Sequence, residues 1–510
     1  MSEPHQVDVL IVGAGLSGIG VAAHLQDGCP GKSYLILEAR DAIGGTWDLF
    51  RYPGIRSDSD MYTLGYAFKP WTSPKAIADG PSIRDYVREA AEERGIDRQI
   101  RFGHRVISAD WSSDEAEWRV EAETAHGPAS FACRFLVMAA GYYDYDQGHR
   151  PHWPDEELFR GPIVHPQFWP ADLDYSGKKV AVIGSGATAV TLVPEMARLA
   201  AHVTLVQRTP SYIVSRPSVD LVAEWLKRWL PARSAYALTR WKNVLLSWFF
   251  FQLARRRPER VARKLIQLAA NDIGERFDAA DFTPPYKPWD QRLCLVPDGD
   301  LFHTVRDGSV GMATGAIERF TDNGLVLSSG DAVDADIVVA ATGLKVVPFG
   351  KVILSVDGKP ADLPSSMVYK GMMLSDVPNM LFIFGYTNAS WTLKADLACA
   401  YLVRLLKRME TARARIAVAR RDEAVAEIPF LDFTSGYVKR ALPLLPRQGA
   451  RRPWRLYQTY LLDLLTLRFG RVEDGTLVLG KMDPAGSADK NKGAPADIRR
   501  PGPARALSPD

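Results

Sequence analysis

Two glycine-rich turns are the part of this sequence with the clearest chemical use. Glycines at short, regular spacing permit a tight turn and let the backbone approach a pyrophosphate at the N-terminus of a helix. The first turn contains Gly13, Gly15, Ser17 and Gly18. The second contains Gly184, Ser185, Gly186, Ala187, Thr188 and Ala189. Alanine is an accepted variant at the last position, because that residue packs the helix against the strand. The two turns predict two dinucleotide sites.

The residues that follow the next strand in each case predict different ribose partners. Glu38 ends the apolar run 34–37, where a carboxylate accepts hydrogen bonds from a ribose. An acid in this place suits an unphosphorylated ribose, as in FAD or NAD. After the second turn, the run 203–206 is followed by Gln207, Arg208 and Thr209 instead of an acid. Arg208 offers bidentate donors to phosphate oxygens and Thr209 offers a hydroxyl, so this site favours NADPH over NADH.

Each turn must be positioned by a strand before it and a helix after it. Apolar runs at 7–12 and 34–37 flank the first turn, and runs at 180–183 and 203–206 flank the second. Two such βαβ units predict an α/β protein with two Rossmann-like dinucleotide-binding domains on parallel sheets. Two more buried-strand patterns, 135–140 and 337–341, end in small residues. We expect the chain to cross between the two domains at those points.

Composition narrows the class of protein. The 510 residues suggest two or three domains, and the 46% hydrophobic and 24% charged fractions are ordinary for a soluble protein. A net charge of +3 does not indicate a nucleic-acid partner. The four cysteines are scattered without a C-x-x-C pair, so neither a disulfide framework, a zinc site nor a dithiol redox pair is indicated. Residues 1–7 lack the features of a secretory signal, and we expect a reduced cytosolic location.

Two further segments give the chain its family resemblance. Residues 159–170, between the two turns, read F-x-G-x-x-x-H-x-x-x-W-P, and residues 45–58 read G-x-W-x-x-x-x-Y-P-G-x-x-x-D. Together they resemble the fingerprints of Baeyer–Villiger monooxygenases, flavoenzymes that insert one oxygen atom from O₂ beside a carbonyl. Longer strings at 45–61, 288–298 and 386–396 are similar to one branch of that family, the ethionamide-activating FAD-containing monooxygenases of mycobacteria and their bacterial relatives. The resemblance covers residues 7–481.

The resemblance implies a domain division and a set of cofactor-binding residues. The FAD-binding domain comprises 1–148 and 345–483, and the NADP-binding domain comprises 149–214 and 288–344. The tail 484–510 is rich in Pro, Gly and Ala, and this composition predicts disorder. Between the two NADP parts lies a helical insertion, 215–287, where residues rich in Trp, Leu and Arg carry no strand signals. The segment that lies along FAD supplies Gly45, Thr46, Trp47, Arg56, Ser57 and Asp58. The backbone of Val106 touches the FAD adenine. Trp391 either lines the cleft near the nicotinamide or is a core residue at the start of a helix.

The expected catalytic pair is Arg292 and Asp58. An oxygenase that holds reduced flavin and O₂ as an anionic peroxide needs a fixed cation nearby, and arginine does not deprotonate. Arg292 lies in the 288–298 string, which resembles the family segment with the active-site arginine, and Asp58 matches the acid beside the flavin ring. From spacing alone the two residues are an ordinary ion pair at a domain boundary. The family usually has lysine before this arginine, where this chain has Gln291. The departure either weakens the preference for NADPH or shifts binding of the 2′-phosphate onto Arg208 and Thr209.

The resemblance implies NADPH- and O₂-dependent conversion of ketones to esters through a C4a-peroxyflavin, and S-oxygenation of thioamides and sulfides. One alternative is a flavin-containing N- or S-monooxygenase without ketone insertion, whose middle motif usually lacks the Trp169-Pro170 ending. Another is a redox-sensing flavoprotein without turnover, against which Arg292 and Asp58 argue. His165, in the middle motif, is expected at a hinge between the nucleotide domains, without a proton-transfer role.

Residues 244–251 form an apolar block that basic residues follow from Arg255 to Arg260. The block is too short to span a bilayer, which needs about twenty apolar residues. We expect its apolar face to cover the substrate cleft or to form a contact between subunits. The second case would make the protein an oligomer. The alternative is peripheral contact with the inner face of the cell membrane.

Overall fold

A computed structural model describes residues 4–480 of the chain. The predicted α/β class with two Rossmann-like domains is confirmed, since two sheets with parallel centres each carry one glycine turn. The tail predicted to be disordered, 484–510, lies outside the described residues.

The first sheet has nine strands and holds the first glycine turn. Its parallel part contains, in spatial order, Met380–Phe382, Gly127–Met138, His5–Val12, Tyr34–Leu37 and Ile100–Arg101. Its other strands are Glu117–Thr124, Arg105–Ser112, Ile353–Val356 and Lys359–Pro360. The long strand Gly127–Met138 joins the two parts, because it pairs antiparallel with Glu117–Thr124 and its last residues run parallel to Met380–Phe382.

The strand His5–Val12 is buried on both faces over residues 9–12, which is why those four residues form a continuous apolar run. Val9 and Ile11 pack in the core shared with helices Leu16–Gly28 and Trp391–Ala412. Leu10 packs on the opposite face, in the core that contains Trp111 and Trp118. Gly80–Glu92 is a further helix of the first of these cores.

The second sheet holds the second glycine turn and is entirely parallel. Its strands, in spatial order, are Val310–Thr314, His202–Gln207, Lys179–Ile183, Ile337–Ala340 and Ile163–Val164. Helices Ala187–Met196 and Asp300–Asp307 share its core. An antiparallel group, Ile317–Thr321, Gly324–Leu327 and Ala332–Asp334, connects its strands Val310–Thr314 and Ile337–Ala340.

The chain passes between the two sheets where the sequence predicts. The strand Gly127–Met138 leads to Tyr143–Gly148, and the strand Ile337–Ala340 leads to Leu344–Val346. These two connecting segments pair antiparallel, with Leu344 opposite Gly148 and Val346 opposite Tyr143. The two connections between the sheets therefore lie side by side as one ribbon.

The predicted helical insertion contains Leu221–Trp229, Ala232–Arg256, Pro258–Ile273 and Ala279–Phe282. The long helix is anchored by the buried Arg240, which donates to the carbonyl oxygens of Tyr62, Thr63 and Gly65 and forms an ion pair with Asp396.

The apolar block 244–251 does not cover the cleft between the sheets. None of its residues lines that cleft, and four of them (Leu245, Leu246, Trp248 and Phe249) are exposed large hydrophobic residues. The expectation that this face covers the cleft is therefore wrong. Within residues 4–480, no helix is both long and apolar enough to cross a membrane.

Candidate functional site

A cleft of about 1300 Å³ lies between the two sheets, and both glycine turns line it. The first turn, the second turn and the segments that connect the two domains all line this one cleft. The carboxyl ends of the parallel strands in each sheet open onto it, which is where α/β sheets bind ligands.

The first turn is compact because two of its glycines leave no room for a side chain. Gly13 has φ +106°, and a Cβ there would lie 2.7 Å from the carbonyl oxygen of Ala139. A Cβ on Gly18 would lie 1.9 Å from the carbonyl oxygen of Gly13. Gly15 precedes the helix Leu16–Gly28 in an extended conformation, with no side chain capping the helix. The first N–H groups of this helix are thus left for an anion.

Glu38 lies in the cleft lining beside the first turn, where we predicted it. It is 5% exposed, and its carboxylate accepts hydrogen bonds from the backbone N–H groups of Ala14, at 2.7 Å, and Arg40, at 2.9 Å. Burial raises the pKa of this carboxyl, while the two N–H donors lower it, and the net direction is upward. The two hydrogen bonds fix the carboxylate at the strand end, and its remaining lone pairs are available to ribose hydroxyls.

The second turn repeats the backbone design of the first. Gly184 has φ +143°, and a Cβ there would lie 2.3 Å from the carbonyl oxygen of Ala341. Gly186 precedes the helix Ala187–Met196 in an extended conformation and again no side chain caps the helix. Ser185 donates to the carbonyl oxygen of Thr209 at 2.8 Å, which joins the turn to the end of the next strand.

Arg208 and Thr209 both line the cleft at the end of the strand His202–Gln207. Arg208 is exposed, and among the described residues no carboxylate lies within ion-pair distance of its guanidinium. Gln207, immediately before it, is buried and donates to the carbonyl oxygen of Asp281 and to Thr314. Buried Gln207 thus fixes the backbone while Arg208 projects into the cleft as an uncompensated cation.

Most of the other predicted cofactor-binding residues line the same cleft. They are Ser17, Gly45, Thr46, Trp47, Ser57, Asp58, Val106, Ala187, Thr188 and Trp391. Gly18 and Ala189 lie behind the turns, where they pack the helices against the strands. Arg56 is outside the lining, because its guanidinium forms an ion pair with Asp300 of the helix Asp300–Asp307 in the second sheet's domain. Arg56 connects the two domains instead of facing the cleft.

Arg292 and Asp58, 234 residues apart in sequence, form a two-pronged ion pair in the cleft wall. The Arg292 Nε lies 2.6 Å from one carboxylate oxygen of Asp58, and Nη2 donates to the other at 2.9 Å. Burial lowers the pKa of Arg292, but the carboxylate of Asp58 raises it and the net direction is upward. The guanidinium therefore stays charged, and about a third of its side chain remains exposed to the cleft.

Three parts of the chain hold the Arg292 segment in place. The strand Cys294–Pro297 pairs with Ile213–Arg216. Asp290, two residues before Arg292, forms an ion pair with Arg255 of the long insertion helix at 2.9 Å. The backbone N–H of Thr434 donates to the carbonyl oxygen of Asp290 at 2.9 Å. The position of Arg292 thus depends on the insertion and on the C-terminal part of the first domain.

Trp391 lines the cleft and begins the helix Trp391–Ala412. Its indole Nε1–H donates to Ser17 at 2.8 Å, and its ring stacks on Tyr142 with the centroids 5.2 Å apart. The indole therefore spans the distance from the first glycine turn to the neighbourhood of Arg292.

Sequence reasoning missed the aromatic and apolar residues around Arg292. Tyr142 and Tyr437 line both the cleft and a second cavity of about 30 Å³ next to Arg292. Burial raises the pKa of each of these two phenols, so both remain protonated donors. The rest of this small cavity is mostly apolar and includes Val346, Phe384, Leu431, Phe433, Val438, Ala441 and Leu445. The aromatic run 142–145, directly after a predicted strand, was a usable signal, whereas no sequence pattern marks Tyr437.

His165 lies against both connecting segments. Its Nδ1 accepts from the backbone N–H of Gln167 at 3.2 Å, and its Nε2 lies 3.3 Å from the carbonyl oxygen of Gly343. A Cβ on Gly148 would lie only 2.1 Å from the imidazole ring. The buried Gln167 donates to the carbonyl oxygens of Asp144 and Tyr145. The motif 159–170 therefore contacts the two paired segments that join the domains, and it places no side chain near Arg292.

The residues of both turns fit dinucleotides. Each turn offers an uncapped helix N-terminus, and each has a backbone approach that a Cβ would close. The first strand end carries a buried carboxylate that suits ribose hydroxyls, and the second carries a free cation that suits a phosphate.

Comparison with known proteins agrees with this architecture. The family model described as pyridine nucleotide-disulphide oxidoreductase matches residues 10–238. The FAD-containing monooxygenase EthA of Mycobacterium tuberculosis strain H37Rv is 52% identical over 478 residues, which cover 93% of this chain and 98% of the relative. EthA of Mycolicibacterium smegmatis is 51% identical over 487 residues, covering 95% of this chain and 99% of the relative.

Solved structures share the fold at low sequence identity. An oxidised steroid monooxygenase bound to NADP has a TM-score of 0.72 at 20% identity, covering 94% of this chain and 100% of that one. Cyclohexanone monooxygenase bound to ε-caprolactone has a TM-score of 0.68 at 21% identity, covering 93% and 100%.

Proposed function

Because this chain belongs to the family of FAD-containing monooxygenases, we propose that it inserts one oxygen atom from O₂ beside the carbonyl of an apolar ketone, which yields an ester. We propose that the same site transfers oxygen to the sulfur of thioamides and sulfides. FAD and NADP are its cofactors, as the two glycine turns predicted. FAD, once reduced by NADPH, supplies the electrons that activate O₂.

The observation that carries the proposal is the Arg292–Asp58 pair at the junction of the cleft and the small cavity. When oxygen adds to a ketone, negative charge develops on the carbonyl oxygen. A cation that is already held in position stabilises such charge without reorganising its surroundings. Arg292 meets this requirement, because Asp58 holds its guanidinium by two bonds and part of it stays open to the cleft.

The chemistry of the small cavity supports an apolar substrate. Phe384, Leu431 and Phe433 offer no hydrogen-bond partner to a polar substrate group, whereas Arg292, Tyr142 and Tyr437 line both this cavity and the cleft. A ketone or sulfide bound in the cleft beside this wall would place its polar atom toward Arg292 and its hydrocarbon part toward the apolar side chains. Burying a charged substrate against this wall would be costly.

The test is an assay of the FAD-loaded protein with NADPH and O₂, offered phenylacetone, methyl phenyl sulfide or no substrate. We expect an ester from the ketone and a sulfoxide from the sulfide, each identified by mass spectrometry. Sulfoxide without ester would support an N- or S-monooxygenase. Hydrogen peroxide as the sole product would contradict both monooxygenase proposals.

Arg292→Ala separates the role of the guanidinium from the fold. We expect the variant to retain FAD, and to lose at least about 100-fold in the rate of ester formation, the usual cost of removing one preorganised electrostatic group. Arg198→Ala is the control, since it removes an exposed arginine that pairs with Glu195 and does not line the cleft. Ester formation at the wild-type rate in Arg292→Ala would remove this residue from the mechanism.

A further inference from the structure

The ion pair of Arg56 with Asp300, which we call the outer pair, accompanies the pair of Asp58 with Arg292, which we call the inner pair. The Arg56 Nη1 lies 2.5 Å from Oδ2 of Asp300, and Nη2 donates to Oδ1 at 3.3 Å. Asp58 follows shortly after Arg56 in the chain, and Asp300 follows shortly after Arg292. The same two short segments are therefore joined twice, each time by an arginine and an aspartate.

The signs of the charges are reversed between the two pairs. The segment 56–58 supplies the arginine of the outer pair and the aspartate of the inner pair, and the segment 292–300 supplies the opposite partner each time. If one segment slipped along the other, like charges would come together, which is unfavourable at short range. The alternation of charge thus favours one register between the two segments.

Only the inner pair faces the cleft. Asp58 and Arg292 line it, whereas Arg56 and Asp300 do not. The side chain of Arg56 is 14% exposed, and within residues 4–480 Asp300 is the sole carboxylate in ion-pair range of its guanidinium. A cation as shielded as this one depends on its partner, because removing one member leaves the other charge poorly solvated.

The stretch before Arg56 belongs to the first domain in sequence but packs in the core of the second. Three of its side chains are buried with the second sheet: Phe50, Tyr52 and Ile55. Gly54 has φ +72°, and a Cβ there would lie 2.9 Å from the Cβ of Glu195 on the helix Ala187–Met196. The second domain therefore holds this stretch by apolar packing as well as through Asp300.

We propose that Arg56 is a positioning residue for the reaction, because its pair with Asp300 fixes the place of Asp58. Asp58 in turn holds the guanidinium of Arg292. Ser57 alone separates Arg56 from Asp58, so a shift at the outer pair reaches the inner pair directly. A displacement of about 1 Å can lower a rate by about 100-fold. The inference rests on the role that we propose for Arg292.

The first experiment tests the link between the pairs without using the reaction. Thermal unfolding of the FAD-loaded full chain is measured for Arg56→Gln, for Arg292→Gln and for the double variant. If the outer pair holds the inner one, the double variant should lose less in melting temperature than the two single losses added together. Additive losses would overturn the proposal, whether or not the protein forms an ester.

The second experiment follows the use of NADPH with phenylacetone as substrate. In Arg56→Gln we expect ester formation to fall by about tenfold, since Arg292 is held less firmly. Hydrogen peroxide formed per NADPH should rise. FAD content and NADP⁺ affinity, measured by titration of the flavin absorbance, should stay as in the wild type, because Arg56 does not line the cleft.

Arg94→Gln is the matched control. Arg94 also pairs with an aspartate, Asp27, its side chain is 25% exposed, and it does not line the cleft. We expect this change to lower the melting temperature without altering the ratio of ester to peroxide. If Arg56→Gln behaved in the same way, the outer pair would be merely structural and the proposal would fail.

Reversal of the outer pair tests whether its charges carry the effect. Asp300→Arg alone sets two cations against each other and should lower ester formation more than Asp300→Asn does. Adding Arg56→Asp restores an arginine–aspartate pair and should recover most of the lost rate. A loss that the reversal does not recover would assign the effect to packing and overturn the proposal. Absence of ester from the wild type would contradict the proposed function instead, and the melting temperatures would still decide whether the pairs are linked.

Discussion

The two glycine turns have nearly the same backbone and opposite chemistry at the strand end beside them. In each, the first glycine has a positive φ, and a Cβ on it would collide with the carbonyl oxygen of a residue at the start of a connection between the domains. That residue is Ala139 for Gly13 and Ala341 for Gly184. Yet Glu38 is buried and held by two backbone donors, whereas Arg208 is exposed and has no ion-pair partner among residues 4–480.

The backbone geometry of the turns and the charge at the strand ends meet different requirements of the cofactors. The backbone geometry follows from the need to bring a helix N-terminus and a strand end close to a pyrophosphate, which any dinucleotide has. The charge at the strand end follows from the ribose, which differs between the flavin and nicotinamide cofactors.

The largest effect is expected where the backbone design itself is broken. Gly18→Ala would place a Cβ 1.9 Å from the carbonyl oxygen of Gly13. We expect it to lower the free energy of unfolding of the first domain by about 2 kcal/mol or more and to yield protein without FAD. Thermal unfolding and flavin absorbance measure both.

The matched change at the second turn is Ala189→Gly, which adds no atoms. It should cost about 1 kcal/mol through helix propensity alone and leave FAD bound. Gly18 and Ala189 are the last residues of the two glycine motifs. If both substitutions lowered the free energy of unfolding equally, the packing around these two residues would not differ.

Arg208→Ala tests the second strand end. A hydrogen bond to a charged group is worth about 1.5–3 kcal/mol, so we expect KM for NADPH to rise by about 10- to 100-fold while KM for NADH changes little. Steady-state kinetics with the two cofactors measure this. The control is Arg198→Ala, which removes an exposed arginine of the same domain. An unchanged NADPH-to-NADH preference in Arg208→Ala would contradict the phosphate role.

Glu38→Gln tests the first strand end and should weaken FAD binding by about tenfold, since charge-assisted hydrogen bonds are about twice as strong as neutral ones. Burial raises the pKa of Glu38. As the pH falls through that raised value, the carboxylate gains a proton and loses its charge. The wild type should therefore release FAD more readily as the medium is acidified, while the variant should vary less. Parallel pH curves for FAD release by wild type and variant would argue against this role of Glu38.

The smallest effect is expected at His165, which lies between the two domains. Burial lowers its pKa, so the fold favours the neutral ring whose Nδ1 accepts from Gln167. A histidine with a depressed pKa contributes stability that is lost as the pH falls below the unfolded value, about 6.5. His165→Gln should cost about 1 kcal/mol at neutral pH, and its melting temperature should approach that of wild type in acid. A pH-independent difference would contradict this assignment.

Much of the fold could be predicted from particular residues. The apolar runs around the two turns became parallel strands, because a strand buried on both faces needs continuous hydrophobic sequence. Arg56 was predicted to bind the cofactor with Ser57 and Asp58, but only these two neighbours line the cleft, while the side chain of Arg56 turns toward Asp300. Periodicity does not report the direction of a side chain in an irregular loop.

The sequence alone determined the two dinucleotide turns and the charge at each strand end, since those depend on neighbouring residues and on local backbone sterics. Tertiary structure decided what distant residues do together. It joined Asp58 to Arg292, added Tyr142 and Tyr437 beside them, and left the apolar block of the insertion on the outside. The reason is physical: local geometry fixes contacts between near neighbours, whereas contacts across more than two hundred residues exist only after two domains and an insertion have packed.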